Sequence, residues 1–196
     1  MTQPGDTASP GDADAVMVGV AIAIPQPHAR VLTKWRSQVG DPAADLVFPH
    51  VTLLPPTPVP AAELARVEAH LSAAAAAHDP FPMHLAGTGT FRPTSPVVFI
   101  QVAMGVAQCE RLEQSIRRGP LARELAFPYH PHVTVAQEID DEGLDEAYEG
   151  LSTFVARFPV ESFVLFSRDP DGSWTWRTEF PLGGPVGDAE CASPPP

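Results

Sequence analysis

Pro49-His50-Val51-Thr52-Leu53 returns 82 residues later as Pro131-His132-Val133-Thr134-Val135. In an extended strand, residues two apart share a face and their neighbours take the other. Each copy therefore aims a histidine and a threonine one way and two apolar side chains the other way. A single His-x-Thr says little. Two copies, each led by proline and flanked by apolar residues, require that the chain build the same half-buried strand twice.

The rest of the chain repeats with the same offset. Apolar runs at 16–24 and 81–86 read as strands, as do β-branched and aromatic residues at 97–103, 155–166 and 173–180. Helices are expected at 27–39, opened by Pro27 and stopped by Gly40, and at 60–77, with Leu64, Val67, Leu71 and Ala75 as an apolar stripe. A third runs from 106 to 118, stopped by Gly119 and Pro120, and a fourth over 142–151. Pro55, Pro56 and Pro58 are expected to end the first His-x-Thr strand, and 87–93 reads as a turn-rich connection. Val16 to Val97 spans 81 residues and Leu64 to Leu144 spans 80. The order strand, helix, His-x-Thr strand, helix, strand thus occurs twice, with one further strand at the end. A period near 80 residues is too long for a solenoid and predicts one domain over 16–182, made of halves at about 16–90 and 97–182. A groove between such halves is a usual ligand site. The segments 1–15 and 183–196 are Pro- and Gly-rich, lack periodicity, and are expected to be disordered tails.

Charge narrows the partners. Net charge is −12, of which −7 falls between the two tails, and Lys34 is the single lysine. Gripping a long nucleic-acid tract requires clustered cations, so none is expected, whereas a small phosphorylated ligand or an RNA end remains compatible. The two cysteines, Cys109 and Cys191, make no disulfide framework. The apolar run at 16–24 is too short to span a bilayer, and acidic residues precede it. A cytoplasmic monomer away from membranes is the expectation.

Two histidines and two hydroxyls on a common groove suit metal-free phosphodiester chemistry. One imidazole takes a proton from the attacking oxygen, and the other, protonated, gives one to the leaving oxygen. The threonine hydroxyls donate to non-bridging phosphate oxygens. A metal site from His130, His132 and His50 is the weaker reading, because no carboxylate lies close to either motif and no HExxH occurs.

With the motifs at His50–Leu53 and His132–Val135 in view, and the segment Gly87-Thr88-Gly89-Thr90-Phe91, the sequence resembles the 2H phosphoesterases. Within them it is most similar to the bacterial 2′-5′ RNA ligase / RNA 2′,3′-cyclic phosphodiesterase group. The resemblance spans about 16–182. It implies an α+β fold of two pseudo-symmetric lobes, with antiparallel sheets flanking a central cleft and helices outside. It implies no metal or other cofactor, His50 and His132 as the acid/base pair, and Thr52 and Thr134 as phosphate ligands. The implied activity is hydrolysis of 2′,3′-cyclic phosphate or 2′-5′-linked nucleotides or RNA ends, with reversible 2′-5′ ligation. Non-RNA cyclic phosphates, or nucleotide binding without turnover, are the alternatives. Val135-Ala136-Gln137 lacks the basic residue that RNA-acting members often carry there, which favours a small nucleotide. Arg92, in the family-like segment, is the expected phosphate-binding arginine, ahead of Arg168 and Arg177. Tyr129 is the expected base-stacking ring. His130 is expected beside the site, and Trp35, Trp174 and Trp176 in the core or on sheet faces.

Overall fold

The computed structural model describes residues 15–169 and 172–183. Eight strands form two four-stranded antiparallel sheets. The strands are β1 (Ala15–Ala23), β2 (His50–Pro60), β3 (Phe81–Thr90), β4 (Val97–Met104), β5 (His132–Gln137), β6 (Val155–Val160), β7 (Ser162–Arg168) and β8 (Trp174–Pro181). The first sheet has the order β2-β1-β7-β8 and the second β5-β4-β3-β6. Four helices complete the α+β fold: α1 (His28–Gln38), α2 (Leu64–Ala76), α3 (Val106–Ile116) and α4 (Asp141–Gly150). The tails, apart from Ala15 and Gly183, lie outside the described residues, as do Cys191 and Pro170 and Asp171 of the last turn.

Each His-x-Thr strand is the edge of its sheet, and the two edges meet: β2 packs against β5. Helices α2 and α3 back the first sheet through β8 and β2, while α1 and α4 back the second through β3, β4 and β5. One core runs through both units. Val51 and Leu53 of β2 and Val133 and Val135 of β5 enter it with at most 1% exposure, so the alternation written in the motifs is realised in both strands.

Four expectations are revised. The sheets do not divide where the sequence halves divide. β3, from the first half, pairs with β4 and β6, and β7 and β8 return from the second half to complete the first sheet. β2 continues through its prolines to Pro60 because an edge strand need not donate outward hydrogen bonds, so α2 starts only at Leu64, after a 3₁₀ turn over Ala61–Glu63. Residues 87–90 are strand, not connection. An irregularity between Leu85 and Thr88, with Gly87 at φ 68°, lets β3 keep pairing with β4. The run 155–166 is two strands in different sheets, parted by Glu161.

Candidate active site

His50 and Thr52 stand on the non-core face of β2, and His132 and Thr134 occupy the matching places on β5. The two histidines are held in the same way. His50 Nδ1–H donates to the Phe48 carbonyl at 2.7 Å, and His132 Nδ1–H donates to the His130 carbonyl at 2.7 Å. A carbonyl only accepts, so it fixes the proton on Nδ1 and leaves the Nε2 lone pair of each neutral ring free. Among the described residues, neither Nε2 and neither threonine hydroxyl has a hydrogen bond to the protein. Four groups suited to a phosphodiester are therefore unspent.

Burial holds the pKa of His50 below the ordinary imidazole value, against the pull of the Phe48 carbonyl, and the charges of Arg36 and His132 push it further down. Burial likewise lowers His132, opposed by the His130 carbonyl and assisted by the His130 imidazole. Both rings thus favour the neutral form in the free protein, and an entering phosphate anion favours protonation of one of them.

The loop that delivers His50 is latched from below. Arg36 is 3% exposed. Its Nε donates to Asp41 at 2.9 Å and its Nη1 to the Val47 carbonyl at 2.6 Å. Asp41 also accepts from the Ala43 amide at 2.9 Å. From the other side, the Trp174 amide donates to Leu46 O and the Ile24 amide to Pro49 O.

Tyr129 sits differently from the expectation. Its ring packs on the core, and its hydroxyl donates to the Thr52 carbonyl at 2.9 Å. It ties the approach to β5 to the first residues of β2, within its His-x-Thr motif, which commits the hydroxyl to joining the two motifs. Arg92 is also engaged: its Nη2 meets Asp145 at 2.7 Å and its Nη1 lies 3.7 Å from Asp141, the first residue of α4, with Asp145 one turn further along. His130 is exposed beside His132, and Phe91 and Phe99 wrap both rings at centroid distances of 4.4–5.7 Å from each other and from the two imidazoles. Among the described residues, no three His, Cys, Asp or Glu side chains are grouped for a metal ion.

Sequence reasoning missed the ring cluster beside His50. Phe48 stacks on Trp176 at 5.7 Å and lies 4.8 Å from Phe166, with Trp174 edge-on to Phe166. These rings cover the small residues Ala21 and Val164. Trp174, Phe166 and Phe48 wall a small pocket with His50 and Thr52. The available signal was spacing: Phe48 is two residues before His50, and Trp174 and Trp176 are two apart, so each pair shares a face.

The family model described as the 2′-5′ RNA ligase superfamily matches residues 24–172. A Halalkalibacterium halodurans protein named "Putative phosphoesterase BH1439" is 29% identical over 84% of this chain and 96% of its own length. A Bacillus cereus protein, "Putative phosphoesterase BCAH820_1309", is 27% identical over 73% of this chain and 84% of its own length. Escherichia coli LigT complexed with 3′-AMP has the same fold, with a TM-score of 0.63 at 20% identity over 86% of this chain and 98% of LigT. TT0787 of Thermus thermophilus gives a TM-score of 0.57 at 24% identity, over 86% of this chain and 98% of its own. Two antiparallel sheets with a His-x-Thr strand at each meeting edge, and a family match across most of the chain, lead to one conclusion: the chain belongs to the 2′-5′ RNA ligase superfamily, within the 2H phosphoesterases.

Proposed function

We propose that this protein is a metal-independent phosphodiesterase that opens 2′,3′-cyclic phosphates of nucleotides or short RNA ends. The observation that carries the reading is the matched pair of histidines, each fixed at Nδ1 by a backbone carbonyl and unspent at Nε2, on two strands that meet. In the forward direction, the neutral imidazole takes a proton from water through Nε2 as the water oxygen attacks phosphorus. The protonated imidazole gives its Nε2 proton to the departing ribose oxygen. One P–O bond forms, one breaks, and the proton has moved from one ring to the other; exchange with solvent resets the pair. Thr52 and Thr134 hydroxyls donate to the non-bridging oxygens and hold them as charge builds. With a ribose 5′-hydroxyl as nucleophile in place of water, the same displacement forms the new P–O bond and breaks the bond from phosphorus to the 3′-oxygen, which takes the proton. Two ends are thereby joined through a 2′-5′ link; the reverse path cleaves that link.

The acidic surface favours small nucleotides over long RNA as the substrate, and a non-RNA cyclic phosphate is the neighbouring possibility. Structures of LigT, which shares the fold, are complexed with the nucleotides 3′-AMP, ATP and NADP⁺ and with phosphate, which supports a small nucleotide as the ligand. The test is turnover of 2′,3′-cyclic nucleotides with EDTA present, with products separated as 2′- and 3′-monophosphates. Single-isomer release supports the reading. Loss of activity in EDTA, or binding without turnover, rejects it.

A further inference from the structure

The register of the first sheet places Thr52, Ala21, Val164 and Glu179 in one transverse row over β2, β1, β7 and β8. Partners in antiparallel strands share a face, so Glu179 stands on the same side of the sheet as Thr52, roughly 14 Å away across three strand spacings. Between them lie two small side chains, covered by the stacked rings of Phe48 and Trp176. One ring, Phe48, separates the His50 imidazole from the Trp176 indole, at centroid distances of 6.0 and 5.7 Å.

A groove of about 510 Å³ opens over this end of the row, within the size range of small-ligand sites. Phe48, Trp176 and Phe158 supply its aromatic walls, and Glu179, Glu161 and Gln26 its polar groups. Glu179 is steadied by a hydrogen bond from the Ser162 hydroxyl. Among the described residues, two carboxylates and no cation line the groove, so it repels phosphate and takes a ligand edge that donates hydrogen bonds.

We propose that this groove binds the substrate's nucleobase and selects guanine, with Glu179 accepting from the base's two adjacent N–H groups. The inference rests on the phosphodiesterase reading. A nucleotide with its phosphate between the two histidines lies along the row, and its base reaches the Phe48–Trp176 platform, where stacking is sequence-tolerant. Selection then falls to the edge. Guanine presents N1–H and N2–H side by side to a carboxylate. Adenine and cytosine present one amino group beside an acceptor, and uracil presents one N–H between two carbonyls. An acceptor-only carboxylate leaves those acceptors unpaired.

The experiment has two arms. In the first, kcat/KM is measured for the 2′,3′-cyclic phosphates of guanosine, adenosine, cytidine and uridine, and for base-free glycerol 1,2-cyclic phosphate. Guanosine is expected to lead uridine by at least about tenfold, and in Glu179→Gln that ratio is expected to fall toward one. Glutamine keeps an acceptor for Ser162, so the variant retains that bond. Equal rates for all four nucleotides, or glycerol cyclic phosphate matching the guanosine substrate, overturns the inference while the phosphodiesterase reading stands. The second arm is calorimetric titration with the nucleosides guanosine and uridine and with choline. Guanosine-selective binding supports the groove even if no cyclic phosphate is turned over, in which case the phosphodiesterase reading alone fails. No guanosine binding, or binding of choline in its place, overturns it.

Discussion

Replacing Tyr129 with phenylalanine separates two roles for that ring. The hydroxyl donates to the Thr52 carbonyl at 2.9 Å, linking the approach to β5 with the His-x-Thr end of β2. Phenylalanine keeps the ring packed on the core and removes only this bond. A neutral hydrogen bond contributes about 0.5–1.5 kcal/mol net, and stranding a dry carbonyl costs about 1–3 kcal/mol. Thr52 is half-exposed on the cleft, so water replaces the lost donor and the lower range applies. The expected loss is about 1 kcal/mol, or a fall in melting temperature of about 2–4 °C for a chain of this size. Because the bond links strands carrying the two histidines, a slackened strap lowers kcat as well. Misplacement by about 1 Å costs up to ~100-fold, and loss of one of several ties is expected to cost about tenfold. Thermal melts and steady-state kinetics on one preparation check both numbers. An unchanged melt and kcat, with a KM that rises for nucleotides and not for glycerol cyclic phosphate, refutes the strap and makes Tyr129 a base-contacting residue.

Arg36→Met strands the buried Asp41 carboxyl and frees the Val47 carbonyl, so about 3–5 kcal/mol of stability is expected to go, read by urea denaturation; Arg36→Met with Asp41→Asn is expected to recover part of it. Both histidine pKa values are depressed, so the unfolded chain binds more protons on acidification. Stability is fully present above pH 6.5 and is lost as pH falls below it, and pH-dependent melts of His50→Asn and His132→Asn are expected to flatten that loss. For the same reason, the pH profile of kcat/KM, which reports the free enzyme, is expected to peak below 6.5; a peak above 7.5 contradicts the burial of the pair. In Gly19→Ala, the new Cβ stands 2.7 Å from the far edge of the Trp174 ring, so the indole must shift within the pocket it shares with His50 and Thr52. A raised KM with a stability cost of about 1–3 kcal/mol is expected from kinetics and melts.

Local chemistry made much of this legible in sequence. The motif strands announced themselves because His50/Thr52 and Val51/Leu53 alternate at period two, and the helices because glycines and prolines punctuate them. Strand partnership was hidden. Nothing in the apolar pattern of β3 states that it pairs with β4 and β6, because periodicity fixes which face is buried and leaves the neighbour open. The single-residue break at Glu161 was also silent, although Pro159 on an edge strand hinted at a limit. Arg92 read as a phosphate ligand because its sequence neighbours resemble the family's, yet α4 brings Asp141 and Asp145 onto it from about 50 residues away. The ring platform was missed because Trp174 and Trp176 read as sheet-face residues until the register put them over Ala21 and Val164, beside His50.

The central claim is that His50 and His132 form one acid/base pair. Its most direct test is kcat/KM for a 2′,3′-cyclic nucleotide in wild type, His50→Ala, His132→Ala and the double variant, with folding checked by melts. Each single change is expected to cost about 10²–10⁴-fold, and the double variant much less than the product of the two. A single variant that keeps wild-type turnover, or losses that multiply fully, would contradict it.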